Sequence, residues 1–340
     1  MAATMADVAA RAGVSKKTVS NYFNGYRYMR PDTRARIEAA VVELNYKMNI
    51  SARNLSSGRT GTISLAIPEL AHPYFAELAQ AVVSAAQLHD LNVLVEVTDG
   101  DREHELEILN GSRGRSVDGL IFGPLALEPS DIDSARIDVP TVLIGDRVHR
   151  GRFDFVSVDN EAGAHAATRH LIDAGHTRIA ALGFDEDLSP TAAAQRQHGY
   201  LRALAEAGLP VDPALTIGPL VWNRAGGADG VRRLLASGAA FDAVFGFNDA
   251  IALGAMSELS HHGLRVPDDV ALMGFDDVQD AAYSVPGLTT VDSGRDWVAR
   301  TAVDLLVLRM SAAAGGAAAD EAPPVDVHTA AFSLVRRSTA

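Results

Sequence analysis

The chain of 340 residues contains no cysteine, which excludes disulfide bonds and cysteine-ligated metal sites. It contains no apolar run close to the roughly 20 residues that a membrane-spanning helix needs. Its first residues, MAATMADVAARAG, lack the basic-then-apolar pattern of a secretory signal, which favours a cytoplasmic location. A chain of this length is too long for a single hydrophobic core, so we expect two or three compact units.

Motifs of nucleotide and acyl-transfer chemistry are missing as well. The sequence has no G-x-G-x-x-G, no Walker A loop and no G-x-S-x-G. Its histidines form no H-E-x-x-H pair, and we expect surface or capping roles for His165, His170, His176, His261 and His262. We therefore expect no enzymatic activity, no cofactor and no bound metal.

Negative charge dominates the chain but is unevenly distributed. The formal net charge is −13, yet residues 1–60 hold ten Lys and Arg against four Asp and Glu, a charge of +6. The remaining 280 residues therefore carry −19, and all three lysines of the chain lie in the first 60 residues. This asymmetry predicts an N-terminal segment that binds phosphates, attached to a body that DNA would repel.

The stretch 5–24 has the pattern of two short helices separated by a tight turn. Thr4 and Asp7 form a capping-box start for the first helix, Gly13 ends it, and Ser15 can cap the second. The outward residues of the second helix are Lys16, Lys17, Ser20 and Asn21. This pattern predicts a helix-turn-helix whose second helix fits the major groove of DNA. A helical hairpin that packs on another structure and carries solvated lysines is the alternative.

A third helix and a loose segment follow. Pro31 begins the third helix, in which Ile37, Val41 and Leu44 have the period needed to cover the first two helices. The segments DVAARAGVSKKTVSNYFN, RPDTRARIEAAVVELNY and ARNLSSGRT resemble, in order and spacing, the head-piece and hinge of the LacI/GalR family of bacterial repressors. The resemblance covers nearly the whole chain, to FSLVRRS at 332–338.

The resemblance implies a DNA-binding transcriptional regulator, expected to be a repressor of carbohydrate utilisation that binds a pseudo-palindromic operator as a homodimer. Lys16, Lys17 and Asn21 would contact base edges. Phosphate contacts would come from Thr4, Ser15, Thr18, Ser20, Asn24 and Thr33. Residues 51–57, including Arg53, would form a hinge helix that orders on DNA, and Leu55 would enter the minor groove and kink the duplex.

Two departures from the family pattern affect these expectations. Many relatives carry arginine where this chain has Asn21 and small aliphatic residues where it has Tyr22 and Phe23, so the operator half-site stays open. The chain shows no heptad-patterned tail, which favours a dimer over a tetramer.

From residue 62 onward, short apolar runs alternate with amphipathic stretches, which predicts parallel sheets covered by helices on both faces. The pattern occurs in two sets of similar size, so we expect two doubly wound α/β lobes. The resemblance implies the fold of the periplasmic sugar-binding proteins. The expected divisions are a helix-turn-helix domain over 1–48, a hinge over 49–60, a first lobe over about 61–158 and 290–322, and a second lobe over about 159–289 and 323–340.

Several predicted strands end in polar or aromatic residues suited to a sugar-like ligand, because ligands bind at the carboxyl ends of strands in such sheets. The resemblance assigns effector contacts to Phe75, Asp146, Arg196, Trp222, Asn248, Asp276 and Ser293. Gly145 leaves the alignment of Asp146 open by one residue. Taken singly, an Asp or Asn after a strand is more often a helix cap, the role expected of Asp249, and a lone Trp more often belongs to the core.

Two other functional classes remain as rivals. A sugar-binding protein of transport or chemotaxis would share the two-lobed body but would need a signal peptide and no basic head. An α/β enzyme with an appended helical domain would need a catalytic motif, which the sequence lacks.

Overall fold

The computed structural model describes residues 3–23, 26, 28–46, 59–111, 117–146, 151–185, 191–314 and 324–340. The chain divides into two compact units, residues 1–60 and residues 61–340. No helix of the described ranges is long and apolar enough to cross a membrane.

The described residues of the first unit form three helices, α1 (Met5–Ala12), α2 (Lys16–Phe23) and α3 (Pro31–Glu43). The Thr4 hydroxyl accepts the amide hydrogen of Asp7, and the Asp7 carboxylate accepts that of Thr4, which confirms the predicted capping box. Gly13 ends α1 with φ of 64°, a conformation that glycine adopts at little cost. The apolar faces of the helices meet in one small core of Val8, Ala9, Ala12, Val19, Ile37, Ala40 and Tyr46.

The second unit contains two α/β lobes. The strands are β1 (Thr62–Ile67), β2 (Asn92–Val97), β3 (Gly119–Phe122), β4 (Thr141–Gly145), β5 (Asp154–Val158), β6 (Ile179–Leu182), β7 (Thr216–Ile217), β8 (Ala243–Gly246), β9 (Ala271–Met273), β10 (Thr290–Asp292), β11 (Val327–Ala330) and β12 (Ser333–Val335). The helices are α4 (Pro73–Gln87), α5 (Arg102–Leu109), α6 (Pro129–Ser134), α7 (Asn160–Asp173), α8 (Ala192–Glu206), α9 (Arg224–Ser237), α10 (Asp249–His261), α11 (Gln279–Tyr283) and α12 (Arg295–Ala314).

Each lobe is built on a parallel sheet. The first lobe has the strand order β11-β5-β4-β3-β1-β2, and the second has the order β7-β6-β8-β9. Alternate residues of a strand point to opposite faces, so Ile63 and Leu65 of β1 join one core and Ala66 joins another. Both faces of each sheet are covered by apolar clusters, which confirms the predicted two-lobed α/β body.

The C-terminal part of the chain corrects the expected lobe boundaries. Strand β10 pairs with β12, and Val291 lies in the core of the second lobe, so the chain returns to the first lobe only with α12. Strand β11 then pairs with β5 in the first sheet, although residues from 323 onward were assigned to the second lobe. The predicted single extended run over 325–335 is in fact two strands in different sheets, because the crossing between lobes falls at residues 331–332.

Candidate effector cavity and DNA-binding helix

Helix α2 presents the basic residues predicted for DNA contact. Lys16 and Lys17 are exposed, and neither ammonium group pairs with a carboxylate of the described residues. In contrast, Arg11 is paired with Glu43 at 2.6 Å. The two lysines therefore remain available to bind a DNA phosphate or an acceptor atom on a base edge.

The smaller polar residues of the head fall into two groups. Thr4 and Ser15 are exposed, whereas Thr18, Ser20, Asn21 and Thr33 are half-buried. The Ser15 hydroxyl accepts the Thr18 amide hydrogen at 3.1 Å, so Ser15 caps α2 as predicted. Three further predicted DNA contacts, Asn24, Arg53 and Leu55, and the hinge helix over 51–57 lie outside the described residues.

The unusual aromatic pair of α2 has a structural role in the head. The rings of Tyr22 and Phe23 meet edge to face, with centroids 5.1 Å apart, and Phe23 also contacts Tyr46 at 5.7 Å. The Arg34 guanidinium lies 5.7 Å from the Tyr22 ring. These contacts connect α2 with α3 and with Tyr46 after it. They explain how the head accommodates aromatic side chains at two positions where many relatives carry small aliphatic residues.

A cavity of about 440 Å³ lies between the two lobes. Its walls include residues at or just beyond the carboxyl ends of strands from both sheets, among them Ile67, Gly145, Asp185 and Asn248. The cavity therefore has the position at which open α/β sheets bind small molecules.

Arg196 makes hydrogen bonds on several sides beside the cavity. It is 5% exposed, and its Nε donates to Asn160 Oδ1 at 2.8 Å while Nη2 lies 3.2 Å from Asp276 Oδ1. Nη1 donates to the carbonyl of Phe247. The guanidinium also lies 3.7 Å from the centroid of the Phe275 ring. A buried guanidinium fixed on several sides offers a rigid, planar set of donors toward the cavity.

Asp276 is a buried carboxylate in an unusual backbone conformation. Its φ is 114°, a region that residues with a side chain rarely adopt, and its exposed fraction is 4%. Burial raises the pKa of Asp276 to about 6, and the opposing effect of the Arg196 charge is smaller. Strained backbone and perturbed ionisation at one residue are both frequent at ligand sites.

Asp146 is held to the same network from the first lobe. Its Oδ1 accepts a hydrogen from Asn160 Nδ2 at 2.7 Å, and its carbonyl accepts one from Gln195. Asn160 thus contacts both Asp146 and Arg196, so one amide aligns an acceptor of the first lobe with a donor of the second.

Asn248 combines two roles. Its Oδ1 accepts the amide hydrogen of Ile251 at 2.7 Å and so caps α10, while its Nδ2 lies 3.0 Å from His72 Nε2 and faces the cavity. Asp249, which was expected to be the cap, is instead the first residue of α10. Its carboxylate accepts from the Val278 amide and the Thr290 hydroxyl, because burial at that position demands partners inside the lobe.

Flat apolar surface comes from both lobes. Phe75 of α4 and Trp222 both line the cavity, and the Trp222 ring lies 5.4 Å from the Arg196 guanidinium. A pyranose or furanose ring presents an apolar face of C–H groups that aromatic rings can cover.

The structure brings together six of the seven predicted effector contacts. Phe75, Asp146, Arg196, Trp222, Asn248 and Asp276 all line the cavity. Ser293 does not line it; it is 1% exposed, and its hydroxyl has no hydrogen-bond partner among the described residues.

Sequence reasoning missed His72 and Asn160 as site residues. His72 lines the cavity, and burial, assisted by the Arg196 charge, lowers the pKa of His72 to about 4, so the ring is neutral at pH 7. A signal for both existed, since each lies at the start of a helix that follows a buried strand. Which side chains they meet, however, depends on the packing of the two lobes.

An N-terminal helix-turn-helix followed by a two-lobed ligand-binding body defines a class of ligand-responsive transcription regulators. The sequence model of bacterial regulatory proteins of the LacI family matches residues 4–49, and that of the periplasmic binding protein-like domain matches residues 168–340. The ribose operon repressor of Escherichia coli K12 is 35% identical over 91% of this chain and 93% of its own length. The chain belongs to the LacI family.

Other relatives and solved structures agree with this assignment. Catabolite control protein A of Priestia megaterium is 33% identical over 86% of this chain and 87% of its own. The structure of the lac repressor dimer bound to operator and an anti-inducer has a TM-score of 0.82 at 28% identity, covering 100% of this chain and 99% of that one. The complex of the transcriptional regulator CelR with cellobiose has a TM-score of 0.70 at 29% identity, covering 99% and 100%.

Proposed function

We propose that this protein is a transcriptional repressor of carbohydrate utilisation genes, whose affinity for operator DNA is set by a small sugar or sugar derivative bound between the lobes. The observation that carries the proposal is the cavity in which Arg196, Asn248 and Asp276 converge beside Trp222. Two similar proteins support the ligand class, one named for the ribose operon and one solved with cellobiose. The proposed role includes no catalytic step.

The DNA-binding part of the proposal rests on the head. Lys16, Lys17 and Asn21 of α2 would contact base edges, and Leu55 would enter the minor groove. A similar protein is a dimer on its operator, so we propose that this chain also binds a pseudo-palindrome as a homodimer. Because operator DNA lies in the bacterial nucleoid, the proposed site of action is the cytoplasm.

The charge of the cavity narrows the ligand class further. Five carboxylates line it, those of Glu69, Asp99, Asp146, Asp185 and Asp276, whereas Arg196 is the one cationic side chain among its described lining residues that is charged at pH 7. We therefore propose that the effector is uncharged or carries an amino group.

A matched panel of saccharides tests this proposal. We expect D-ribose, D-glucose, D-galactose or cellobiose to raise the Tm of the full chain, because a ligand that binds only the folded state stabilises it. The phosphorylated counterpart of the binding sugar should bind at least about tenfold more weakly, since an anion would meet several carboxylates in a partly desolvated cavity. Differential scanning fluorimetry followed by isothermal titration calorimetry measures both effects.

Two results would count against the proposal. A phosphorylated sugar that binds as tightly as the neutral sugar would remove the charge argument. A panel in which no saccharide shifts Tm, while a different class of small molecule does, would remove the sugar effector itself.

The affinity for a neutral saccharide should fall in acid. The carboxylate of Asp276 accepts hydrogen bonds from hydroxyl groups only while it is ionised, and its pKa is raised to about 6. Lowering the pH from 7 to 5 should therefore weaken binding up to about tenfold, because a carboxyl with a pKa of about 6 falls from about 90% to about 10% ionised over this range. His72, with its pKa lowered to about 4, stays neutral over this range and contributes little. Calorimetry at several pH values measures the slope.

The Asp276→Asn variant is the control for this pH dependence. It should bind the same saccharide more weakly at pH 7 and show a flat profile between pH 5 and 7, because no carboxylate titrates at that position. A wild-type profile that is flat over the same range would disprove the assignment of Asp276.

A further inference from the structure

Behind the cavity, one arginine joins the Asp276 loop to the first lobe. Arg295 begins α12, which packs on the first sheet. Its Nη1 lies 3.3 Å from the carbonyl oxygens of both Asp276 and Asp277, and its Nη2 lies 2.9 Å from Glu77 Oε2. One guanidinium thus bonds to the main chain of a cavity residue in the second lobe and to a carboxylate in the first.

Glu77 makes a second connection across the same boundary. It lies in α4, one residue before Leu78 of the first-lobe core, and its Oε1 accepts the amide hydrogen of Gln279 at 2.8 Å. Gln279 begins α11, whose Ala281 belongs to the core of the second lobe. The two oxygens of one carboxylate therefore bind both Arg295 and the loop that carries Asp276.

Neither Glu77 nor Arg295 lines the cavity. Their side chains are only 27% and 18% exposed, so water screens the pair less than it screens the many surface ion pairs of this chain. The loop that they hold has positive φ at two successive residues, 114° at Asp276 and 50° at Asp277. A backbone held in this rarely populated conformation needs support from its surroundings.

We propose that Glu77 and Arg295 form an interlobe latch, which transmits the occupancy of the cavity at Asp276 to the relative arrangement of the two lobes. This inference rests on the proposed function. A saccharide that bonds to Asp276 would shift the loop after β9. The carbonyls of Asp276 and Asp277 in this loop accept from Arg295 of α12, and the Gln279 amide donates to Glu77 of α4. The pair acts as a set of positioning residues and does not itself bind the effector.

A simpler role would be local support of the loop, and the chain contains a matched control for it. Arg337 Nη2 lies 2.7 Å from the carboxylate of Asp277, and Nη1 donates to the carbonyl of Leu288 at 2.9 Å. Both partners belong to the second lobe, so Arg337 supports the same loop without a connection to the first lobe. A variant of Arg337 therefore perturbs the loop and leaves the interlobe latch intact.

The test compares Glu77→Gln, Arg295→Met and Arg337→Met in the full chain. The probes are the panel sugar that gives the largest Tm shift and an operator duplex selected from a random library. The measured quantity is the ratio of the operator Kd with sugar to that without it, by fluorescence anisotropy. Allosteric coupling of ordinary size would change the operator Kd by about 5–150-fold in the wild type.

In Glu77→Gln and Arg295→Met, the two latch variants, we expect the ratio of the operator Kd values to move at least fivefold toward 1. The sugar Kd should change less than threefold in both. Arg337→Met should keep the wild-type ratio within twofold. The latch is overturned if the ratio is unchanged in both latch variants, if Arg337→Met loses it equally, or if the latch variants lose sugar binding more than tenfold. The conservative Glu77→Gln keeps an oxygen for the Gln279 amide, so it preserves the fold if Arg295→Met does not.

A second measurement needs neither sugar nor DNA. Hydrogen exchange of the Gln279 amide in the ligand-free protein should be at least tenfold faster in Glu77→Ala than in the wild type, and less than threefold faster in Glu77→Gln. Equal exchange in wild type and Glu77→Ala would overturn the latch. If no panel sugar binds but Gln279 responds as expected, the sugar effector fails while the structural connection stands.

Discussion

The Arg196→Ala variant should lose saccharide binding by at least about a hundredfold. Arg196 contacts Asn160, Phe247 and Asp276 at once, so its removal deletes donors and also releases their partners. Hydrogen bonds to a charged group contribute about 1.5–3 kcal/mol each, so the loss of two such bonds to the sugar costs about 3–6 kcal/mol, which corresponds to about two to four decades in an equilibrium constant. Calorimetry with the sugar that stabilises the wild type measures the loss.

The same substitution should also lower the stability of the body. Without the guanidinium, Asp276 would remain as a buried carboxylate beside Asp146. Burial and the charge of Asp146 both disfavour the charged form of Asp276. We therefore expect a lower Tm at pH 7 and a smaller loss at pH 5, where a carboxyl with a raised pKa is mostly protonated. Differential scanning calorimetry at the two pH values separates the stability effect from the binding effect.

Arg202→Ala is the matched control on the same helix. Arg202 also lies in α8, but its side chain is 44% exposed and pairs with the exposed carboxylates of Glu161 and Glu206. Exposed pairs contribute about 0–1 kcal/mol, so both Tm and sugar affinity should stay close to wild type. An Arg196→Ala protein that binds the sugar normally would show that this cavity is not the effector site.

The second large effect is expected in the head, where Ile37→Ala should abolish operator binding. Ile37 is fully buried in the core shared by α1, α2 and α3. Truncation of a buried isoleucine typically costs about 2–5 kcal/mol. Seven buried residues form the core of the head among the residues that the structure describes, and small units of this kind have little stability to spare. We therefore expect a largely unfolded head.

We expect the body to be unaffected by Ile37→Ala, because Ile37 belongs to the core of the first compact unit and the body is a separate compact unit. The sugar-dependent Tm shift should therefore persist while anisotropy detects no specific operator complex. Val42→Ala in α3 is the control, since Val42 is 80% exposed and its truncation should change operator binding less than twofold. Retained operator binding by Ile37→Ala would show that the head does not depend on this core.

Local sequence patterns were sufficient for the head. The capping box of Thr4 and Asp7, the left-handed Gly13 and the cap from Ser15 all involve residues within three positions of one another. Interactions over such short separations do not depend on the tertiary fold, so the predicted helices are found where the pattern put them. The alternation of apolar runs was likewise sufficient to predict two parallel α/β lobes.

The predictions from sequence were wrong where a local pattern was compatible with more than one tertiary arrangement. Asn248 and Asp249 are both good capping residues, and only the geometry at the end of β8 selects Asn248 as the cap. Ser293 follows β10, a strand that pairs with β12, and it is not among the residues that line the cavity, so its effector contact stays a prediction. Strand β11 pairs with the edge of β5 in the first sheet. No local pattern within residues 325–335 indicates which of the two sheets this strand belongs to.

The amino-acid sequence by itself determined the class of this protein, because the basic helix-turn-helix and the strand–helix alternation are written in short-range spacing and charge. Only the tertiary structure decided which side chains meet in and around the candidate effector cavity. Arg196 meets Asn160, Phe247 and Asp276, which are 36, 51 and 80 positions away in the chain, and Glu77 meets Gln279 across 202 positions. Contacts over such separations arise from the packing of two sheets, since no local preference specifies which strand ends become neighbours.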